Sequence, residues 1–182
     1  MLGPHTNWHG AAVNRPRGNP TDAELVAAVN DAVRGGDLDR VVAGLTDLLK
    51  RHPANPVLRQ RLAMALNNRG SRNARQGVLH AAETDFRAAL ALVADHAEAE
   101  VNLARLLAAA KRWDAALIAL EQACSRFPHD IELRLDLAEA MASAGAAGAE
   151  ALLDEAIAVA RSTGQIDPTR LAMSLATRGR PG

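Results

Sequence analysis

The sequence contains few aromatic residues, a single cysteine and no long apolar run. Phenylalanine, tryptophan and tyrosine together make up 2% of the chain, and tyrosine is absent. Because Cys124 is alone, a disulfide within the chain and a thiolate metal cluster are both excluded. Residues 1–20 lack the charged start and apolar run of a secretory signal. No stretch approaches the roughly 18 uninterrupted apolar residues of a membrane span. We therefore expect a cytoplasmic chain that needs no cofactor and does not enter a membrane.

The sequence also lacks an excess of charge of either sign. Lysine plus arginine total 21, and aspartate plus glutamate total 21, so the formal net charge is zero. A protein that binds a phosphate backbone usually presents net positive charge to it. Nucleic acid is therefore not expected among the partners. The only lysines are Lys50 and Lys111, a bias typical of a bacterium with a GC-rich genome.

What the chain does contain is alanine, leucine and valine, which dominate its 48% of hydrophobic residues. This mixture favours helices over sheets. Alanine buries little area, so helices rich in it must approach closely and share burial among many neighbours. The length of 182 residues suits one domain with a sizeable core. A stack of closely packed helices is the expected result.

Two segments of the sequence, 63–96 and 97–130, superpose at a spacing of 34 residues. Self-similarity at such a period is typical of a repeat architecture. The matched pairs are Asn68 with Asn102, Gly77 with Lys111, Ala82 with Ala116, Phe86 with Leu120, and Ala89 with Ala123.

The pattern resembles that of the tetratricopeptide repeat family, a 34-residue helix–turn–helix motif with alanine, a large apolar residue and proline at fixed places. Gly70 and Ala104 take the family's small residue of the first helix, and Pro128 takes the proline of the later repeat. Segment 77–90 follows the second half of the motif closely. The resemblance implies an all-α, right-handed solenoid of about four helix pairs plus a C-terminal capping helix.

The resemblance extends outward to a degenerate first repeat and to a fourth repeat with a one-residue insertion. We expect an extended or disordered tail at 1–20 and a repeat domain at 21–178. The domain comprises repeats at about 22–55, 63–96, 97–130 and 131–163 and a capping helix at 168–177, followed by a tail at 179–182. Trp8 is the only large anchor in the first tail, where it either docks into the chain's groove, binds a partner, or does neither.

Seven residues, 56–62, separate the first two repeats. Seven residues make about two helical turns, so they can lengthen a helix without rotating its faces. We therefore predict one long helix from Pro56 to about Gln76, with Gly70 and Ser71 as its weakest point. Two capping boxes are also predicted, Thr21 with Glu24 and Asp95 with Glu98.

In the tetratricopeptide repeat family, the first helix of each pair lines a concave groove, and asparagines on it bind the backbone of an extended peptide. Asn68 and Asn102 take that position here, whereas Ala27 and Asp136 take it in the outer repeats. The resemblance thus implies two asparagine contacts to a peptide. The alternative is that both asparagines only solvate a helix face.

A basic strip accompanies Asn68. No acidic residue occurs between 48 and 82, and Arg61, Arg72 and Arg75 share one side of the predicted long helix with Asn68. Such a strip suits an acidic peptide or a terminal carboxylate, because guanidinium pairs with carboxylate in a bidentate manner. The alternative is a solvated face that is balanced by acids elsewhere. The candidate binding residues are Asn68, Asn102, Arg75, Arg105, Arg72, Arg61, Asn30 and Asp136.

The predicted function is that of an adaptor or scaffold that holds an extended, acidic segment of another protein. One alternative is self-assembly, through a basic end in repeats 1–2 and an acidic end in repeat 4. Another is a non-catalytic regulatory or targeting subunit of an enzyme complex. No enzyme is expected, because no arrangement of serine, histidine and acid stands out. No metal site is expected either, since glycine and proline surround the histidine pair His5 and His9.

Overall fold

The computed structural model of the chain describes residues 19–164 and 168–178, and every regular element in these ranges is an α-helix. The helices are α1 (Asp22–Arg34), α2 (Leu38–Arg51), α3 (Pro56–Arg75), α4 (Leu79–Leu92), α5 (Ala97–Ala109), α6 (Trp113–Arg126), α7 (Ile131–Ala144), α8 (Ala149–Thr163) and α9 (Pro168–Arg178). The predicted all-α class is confirmed. None of these helices combines the length and the apolar character needed to cross a membrane.

Helices that follow one another in the chain pack against one another. From α1 to α8 the connections are three or four residues long, so neighbouring helices run antiparallel. The first helices of successive pairs also approach each other, α3 to α5, α5 to α7 and α7 to α9. The result is the predicted solenoid, in which α9 caps the last pair. The tails 1–18 and 179–182 lie outside the described residues, as does Trp8, so the predicted domain limits stay predictions.

Small residues at repeating positions allow the helices to approach closely. The alanines that the motif places in the second helices of the central pairs are fully buried, as is the small residue of α5. These residues are Ala82, Ala89, Ala116, Ala123 and Ala104. At the equivalent place in α3, a Cβ atom added to Gly70 would lie 2.7 Å from Cε1 of Phe86. The periodic alanines therefore face the core, as predicted.

The long helix predicted from the seven-residue insertion is confirmed. Helix α3 has 20 residues, whereas α1 and α5 have 13 each, so the difference equals the insertion. Asn55 caps its start by accepting hydrogen bonds from the amides of Val57 and Leu58. The helix runs without interruption through Gly70 and ends at Arg75.

One of the two predicted capping boxes forms. The Thr21 hydroxyl accepts from the amide of Glu24, and the Glu24 carboxylate accepts from the amide of Thr21 at 2.7 Å. The box at Asp95 was wrong, because α5 has His96 as its N-cap and begins at Ala97 with no side-chain cap. The helix thus starts one residue later than Asp95 would require.

The turn between the two helices of each pair needs a residue in the left-handed conformation. Gly36, Gly77 and Gly145 supply it with φ values of 68°, 77° and 69°. The third pair has Lys111 at the equivalent place, with φ of 57°. A side chain there brings Cβ close to the following carbonyl oxygen, which glycine avoids.

Replacing Lys111 with glycine is therefore expected to raise the free energy of unfolding by about 1 kcal/mol. Urea unfolding followed by circular dichroism measures the change. The matched control is Ala110→Gly, because Ala110 has φ of −79° and gains nothing from glycine. That control should lower stability by about 0.5–1 kcal/mol. Equal losses in both variants would contradict the strain at Lys111.

Candidate peptide-binding groove

All eight candidate binding residues lie on the first helices of the pairs. Asn30 is on α1, the arginines Arg61, Arg72 and Arg75 are on α3 with Asn68, Asn102 and Arg105 are on α5, and Asp136 is on α7. They do not converge on one site. The structure distributes seven of them among three hollows between α1 and α3, α3 and α5, and α5 and α7, and Arg72 lines none of these hollows.

The first hollow is a cleft between α1 and α3 with a volume of about 280 Å³. Asn30, Arg61 and Asn68 supply its polar lining. The remaining lining is largely apolar and comes from Val29, Ala32, Val33, Leu38, Val41, Leu45, Met64 and Ala65, together with Gly36. The cleft can therefore accept an apolar group while three polar side chains meet the groups beside it.

The second hollow, between α3 and α5, contains Arg75, Asn102 and Arg105. The Asn102 amide donates to Oδ1 of Asn67 at 2.9 Å and to Oγ of Ser71 at 3.3 Å, so it joins α5 to α3. Asn67 is only 7% exposed. Sequence reasoning singled out its neighbour Asn68, which is exposed. Within the described part of the chain, the side-chain oxygen Oδ1 of Asn102 accepts no hydrogen bond and can accept one from a peptide amide.

The third hollow, between α5 and α7, is crossed by ion pairs. Arg105 Nε lies 2.6 Å from Oδ2 of Asp136, and Arg170 Nη2 lies 2.6 Å from its Oδ1. Arg170 also donates to Glu139 at 2.8 Å, and Glu139 accepts from the Ser174 hydroxyl at 2.8 Å. Burial raises the pKa of Asp136, and the guanidinium of Arg105 offsets part of that rise. These pairs hold α5, α7 and α9 together.

Sequence reasoning missed Arg170 and Ser174. The signal that could have found Arg170 is its separation of 34 residues from Asp136, one full repeat. Equivalent positions in neighbouring pairs lie side by side in a solenoid, so opposite charges one repeat apart can meet. The same geometry explains Asn67 and Asn102, which are 35 residues apart.

The arginines of the basic strip on α3 differ in whether they form an ion pair within the chain. Arg72 Nη2 lies 2.9 Å from Oδ2 of Asp39 on α2, so this member of the strip is tied within the chain. Arg61 and Arg75 differ from it, because no carboxylate of the described residues lies within 4.0 Å of either side chain. Two cations on one side of α3 therefore remain available to an external anion.

Part of the sequence matches a family model, and the fold matches solved structures. Residues 97–140 match the tetratricopeptide repeat family model. A tetratricopeptide repeat protein from Parabacteroides merdae ATCC 43184 superposes with a TM-score of 0.63 at 22% identity, over 86% of this chain. The match covers 58% of that protein, so this chain spans little more than half of its length. No curated protein matches the sequence.

Two further structures share the fold at low identity. YrrB, described as a TPR protein with an unusual peptide-binding site, superposes with a TM-score of 0.56 at 18% identity, over 87% of this chain and 75% of YrrB. A chain described as MamA 41-end from Desulfovibrio magneticus RS-1 superposes with a TM-score of 0.51 at 19% identity, over 81% of this chain and 76% of that one.

The architecture is that of a helical-repeat solenoid of the tetratricopeptide type. Residues 97–140 match the predicted repeat family, and the fold of the described residues is the one predicted from that family, as the solved tetratricopeptide repeat structures show. Among the described residues, no group of three or more histidine, cysteine, aspartate or glutamate side chains is arranged to hold a metal ion.

Proposed function

We propose that the chain is a cytoplasmic adaptor that holds an extended, acidic segment of another protein along the inner faces of α1, α3 and α5. The observation that carries this function is the pair Arg61 and Arg75. Both lie on one side of α3 and line hollows, and neither has a carboxylate within 4.0 Å among the described residues. A guanidinium that faces a hollow without a partner is a suitable site for a carboxylate.

The other candidate residues support this arrangement in two ways. Asn68 is exposed at the α1–α3 cleft, and the side-chain oxygen of Asn102 is without a donor at the next hollow among the described residues, so both side chains can bond a peptide backbone. Arg72, Arg105 and Asp136 are used in ion pairs between helices. Their proposed role is to fix the relative positions of the helices that carry the binding residues.

Selection of random peptides from a display library, with the immobilised full chain as bait, tests the function. We expect the enriched peptides to be acidic. Fluorescence anisotropy of labelled selected peptides should then show at least a tenfold loss of affinity for Arg61→Gln plus Arg75→Gln, since charged hydrogen bonds contribute about 1.5–3 kcal/mol each. Asn68→Ala plus Asn102→Ala should also weaken binding.

The matched control is Arg59→Gln on the same helix. Arg59 is exposed, and at 100° per residue it faces away from Arg61. It should leave peptide affinity unchanged. The proposal fails if no peptide is enriched, if the enriched peptides are not acidic, or if both groove variants bind as the wild type and Arg59→Gln do.

Self-assembly through oppositely charged ends has weaker support. Asp136, Glu139 and Glu155 of the last repeat already pair with arginines of the same chain. Light scattering at low and high salt distinguishes the two functions, because a charge-driven assembly dissociates as salt rises. A regulatory or targeting subunit would use the same groove and is covered by the peptide test.

A further inference from the structure

The row of first helices has a gap between α1 and α3. Helices α3 and α5, α5 and α7, and α7 and α9 each come within 8 Å at their Cα atoms, but α1 and α3 do not. Both instead pack on α2, whose Val41 and Leu45 form the floor of the cleft between them. The cleft is therefore a place where the regular packing of the solenoid leaves apolar surface uncovered.

Exposed apolar side chains concentrate along the two walls of this cleft. Val33 on α1 is 60% exposed and Met64 on α3 is 51% exposed, and both line the cleft. Val26 and Val57 are also exposed, and each precedes one of these residues by seven positions, which places it on the same helix face. Single exposed apolar residues are ordinary, whereas a cluster of them around a cleft indicates a binding surface.

Resting on the function proposed above, we infer that the α1–α3 cleft seats one large apolar side chain of the bound segment, and that Arg61 pairs with a carboxylate beside it. Charge complementarity selects this occupant. Among the residues that the structure describes, Arg61 is the only charged one that lines the cleft, and no carboxylate of theirs lies within 4.0 Å of it. A wholly apolar occupant would strip water from Arg61 without replacing its hydrogen bonds, which is unfavourable.

The polar rim specifies an extended backbone. Asn30 on α1 and Asn68 on α3 are exposed on opposite walls of the cleft. Each amide can donate to a peptide carbonyl and accept from a peptide N–H. A strand-like segment exposes such groups along its length, whereas a helix satisfies them internally. The occupant is thus an extended segment with an acidic residue close to a large apolar one.

The positions of the two arginines predict a spacing. Arg75 follows Arg61 by 14 residues, about 21 Å along α3 at 1.5 Å per residue. An extended segment that runs along α3 at about 3.3 Å per residue covers this length in about six residues. The cleft centre, near Met64, lies about 4.5 Å along α3 from Arg61, a length of one to two extended residues, and a separation of two keeps the apolar side chain on the same side as the acid. In an extended peptide, side chains two positions apart point to the same side. An acidic residue, an apolar residue two positions after it and a second acidic residue six positions after it therefore all face α3.

Peptides selected on the full chain provide the probe for this inference. We expect the enriched sequences to share a large apolar residue about two positions from an acidic one, in either chain direction. Changing the apolar residue of a labelled selected peptide to alanine should weaken its binding about tenfold, because a buried Leu-sized side chain loses most of its apolar area. Changing the adjacent acid to its amide should have an effect of similar size.

Two variants of the chain assign these effects to the cleft. Val33→Thr plus Met64→Gln keeps the shape of both side chains and makes them polar, and their exposure should leave the fold intact, as circular dichroism can verify. This variant should bind the parent peptide and its alanine version with equal affinity. Arg61→Gln should bind the parent peptide and the peptide with the amide in place of the acid with equal affinity. Ile118→Thr, an equally exposed apolar change on α6, is the matched control and should behave as the wild type.

The outcomes separate this inference from the function on which it rests. If the parent and alanine peptides bind the wild type equally while Arg75→Gln weakens both, the cleft assignment is overturned and the groove function stands. If no peptide is enriched, both are overturned. If peptides bind only after Trp8→Ala, the cleft holds the chain's own amino-terminal segment. If sedimentation shows a dimer that Val33→Thr plus Met64→Gln dissociates, it holds a second copy; either result overturns the inference.

Discussion

Replacing Asp85 with alanine is expected to lower the free energy of unfolding by about 3–5 kcal/mol. Asp85 is only 4% exposed. Its carboxylate accepts from Arg69 Nε at 3.0 Å, from Arg69 Nη2 at 2.6 Å and from Asn73 Nδ2 at 3.1 Å, so it ties α4 to α3. Alanine would leave the half-buried guanidinium of Arg69 without its main acceptor. Urea unfolding followed by circular dichroism measures the loss.

The control for this prediction is an exposed carboxylate. Asp47 accepts from Lys50 at 3.0 Å on the surface of α2, and Asp47→Ala should change stability by less than about 1 kcal/mol. Replacing the buried pair together, as Arg69→Met plus Asp85→Leu, should recover most of the loss, because no charge is then left unpaired. Similar losses in the free energy of unfolding from Asp85→Ala and Asp47→Ala would show that the buried ion pair contributes no more to stability than the exposed one.

The internal ion pairs also decide which cations can serve a partner. Asp39 on α2 lies within ion-pair distance of both Arg69 and Arg72. The acidic residues that would balance the basic segment therefore come from other helices. The arginines of the strip that have no such ion pair among the described residues are Arg61 and Arg75, so the cations available to a ligand are few and lie far apart along α3. A sparse pattern specifies the spacing of carboxylates in a ligand, whereas a dense one would attract any anion.

The fold could be predicted from the sequence because its determinants recur in phase. Small residues at 34-residue intervals, such as Ala82 and Ala116, show where helices approach one another, and this can be read without knowing which residues they contact. The insertion of seven residues before the second repeat likewise predicted the length of α3, since two turns preserve the helix face. These arguments need only helix geometry and side-chain size.

The site could be predicted only in part, because its details depend on contacts between helices. Asn67 and Asn68 are adjacent, and the repeat alignment equates Asn68 with Asn102. In the structure it is Asn67 that accepts from Asn102, which leaves Asn68 exposed. A helical step of 100° separates the buried asparagine from the exposed one, and alignment of repeats cannot resolve that step without the crossing geometry. The pairing of Arg105 with Asp136 depends on the same geometry.

Replacing Phe86 with alanine is expected to lower the free energy of unfolding by about 3–5 kcal/mol. Phe86 is 1% exposed and packs with Ala82 and Leu106 between α3, α4 and α5. Gly70 makes room for its ring, because any Cβ there would lie 2.7 Å from Cε1 of Phe86. Urea unfolding measures the loss, and Ile118→Ala on the exposed face of α6 is the control.

The next repeat supplies the compensating pair for this position. Ala104 and Leu120 follow Gly70 and Phe86 by 34 residues each, and both are fully buried. Gly70→Ala alone should cost about 1–3 kcal/mol through overpacking against the ring. Phe86→Leu alone should open a small cavity. Together they reproduce the packing of the third repeat, so the double variant should be more stable than the sum of the single losses predicts. Strict additivity would mean that the glycine does not accommodate the ring.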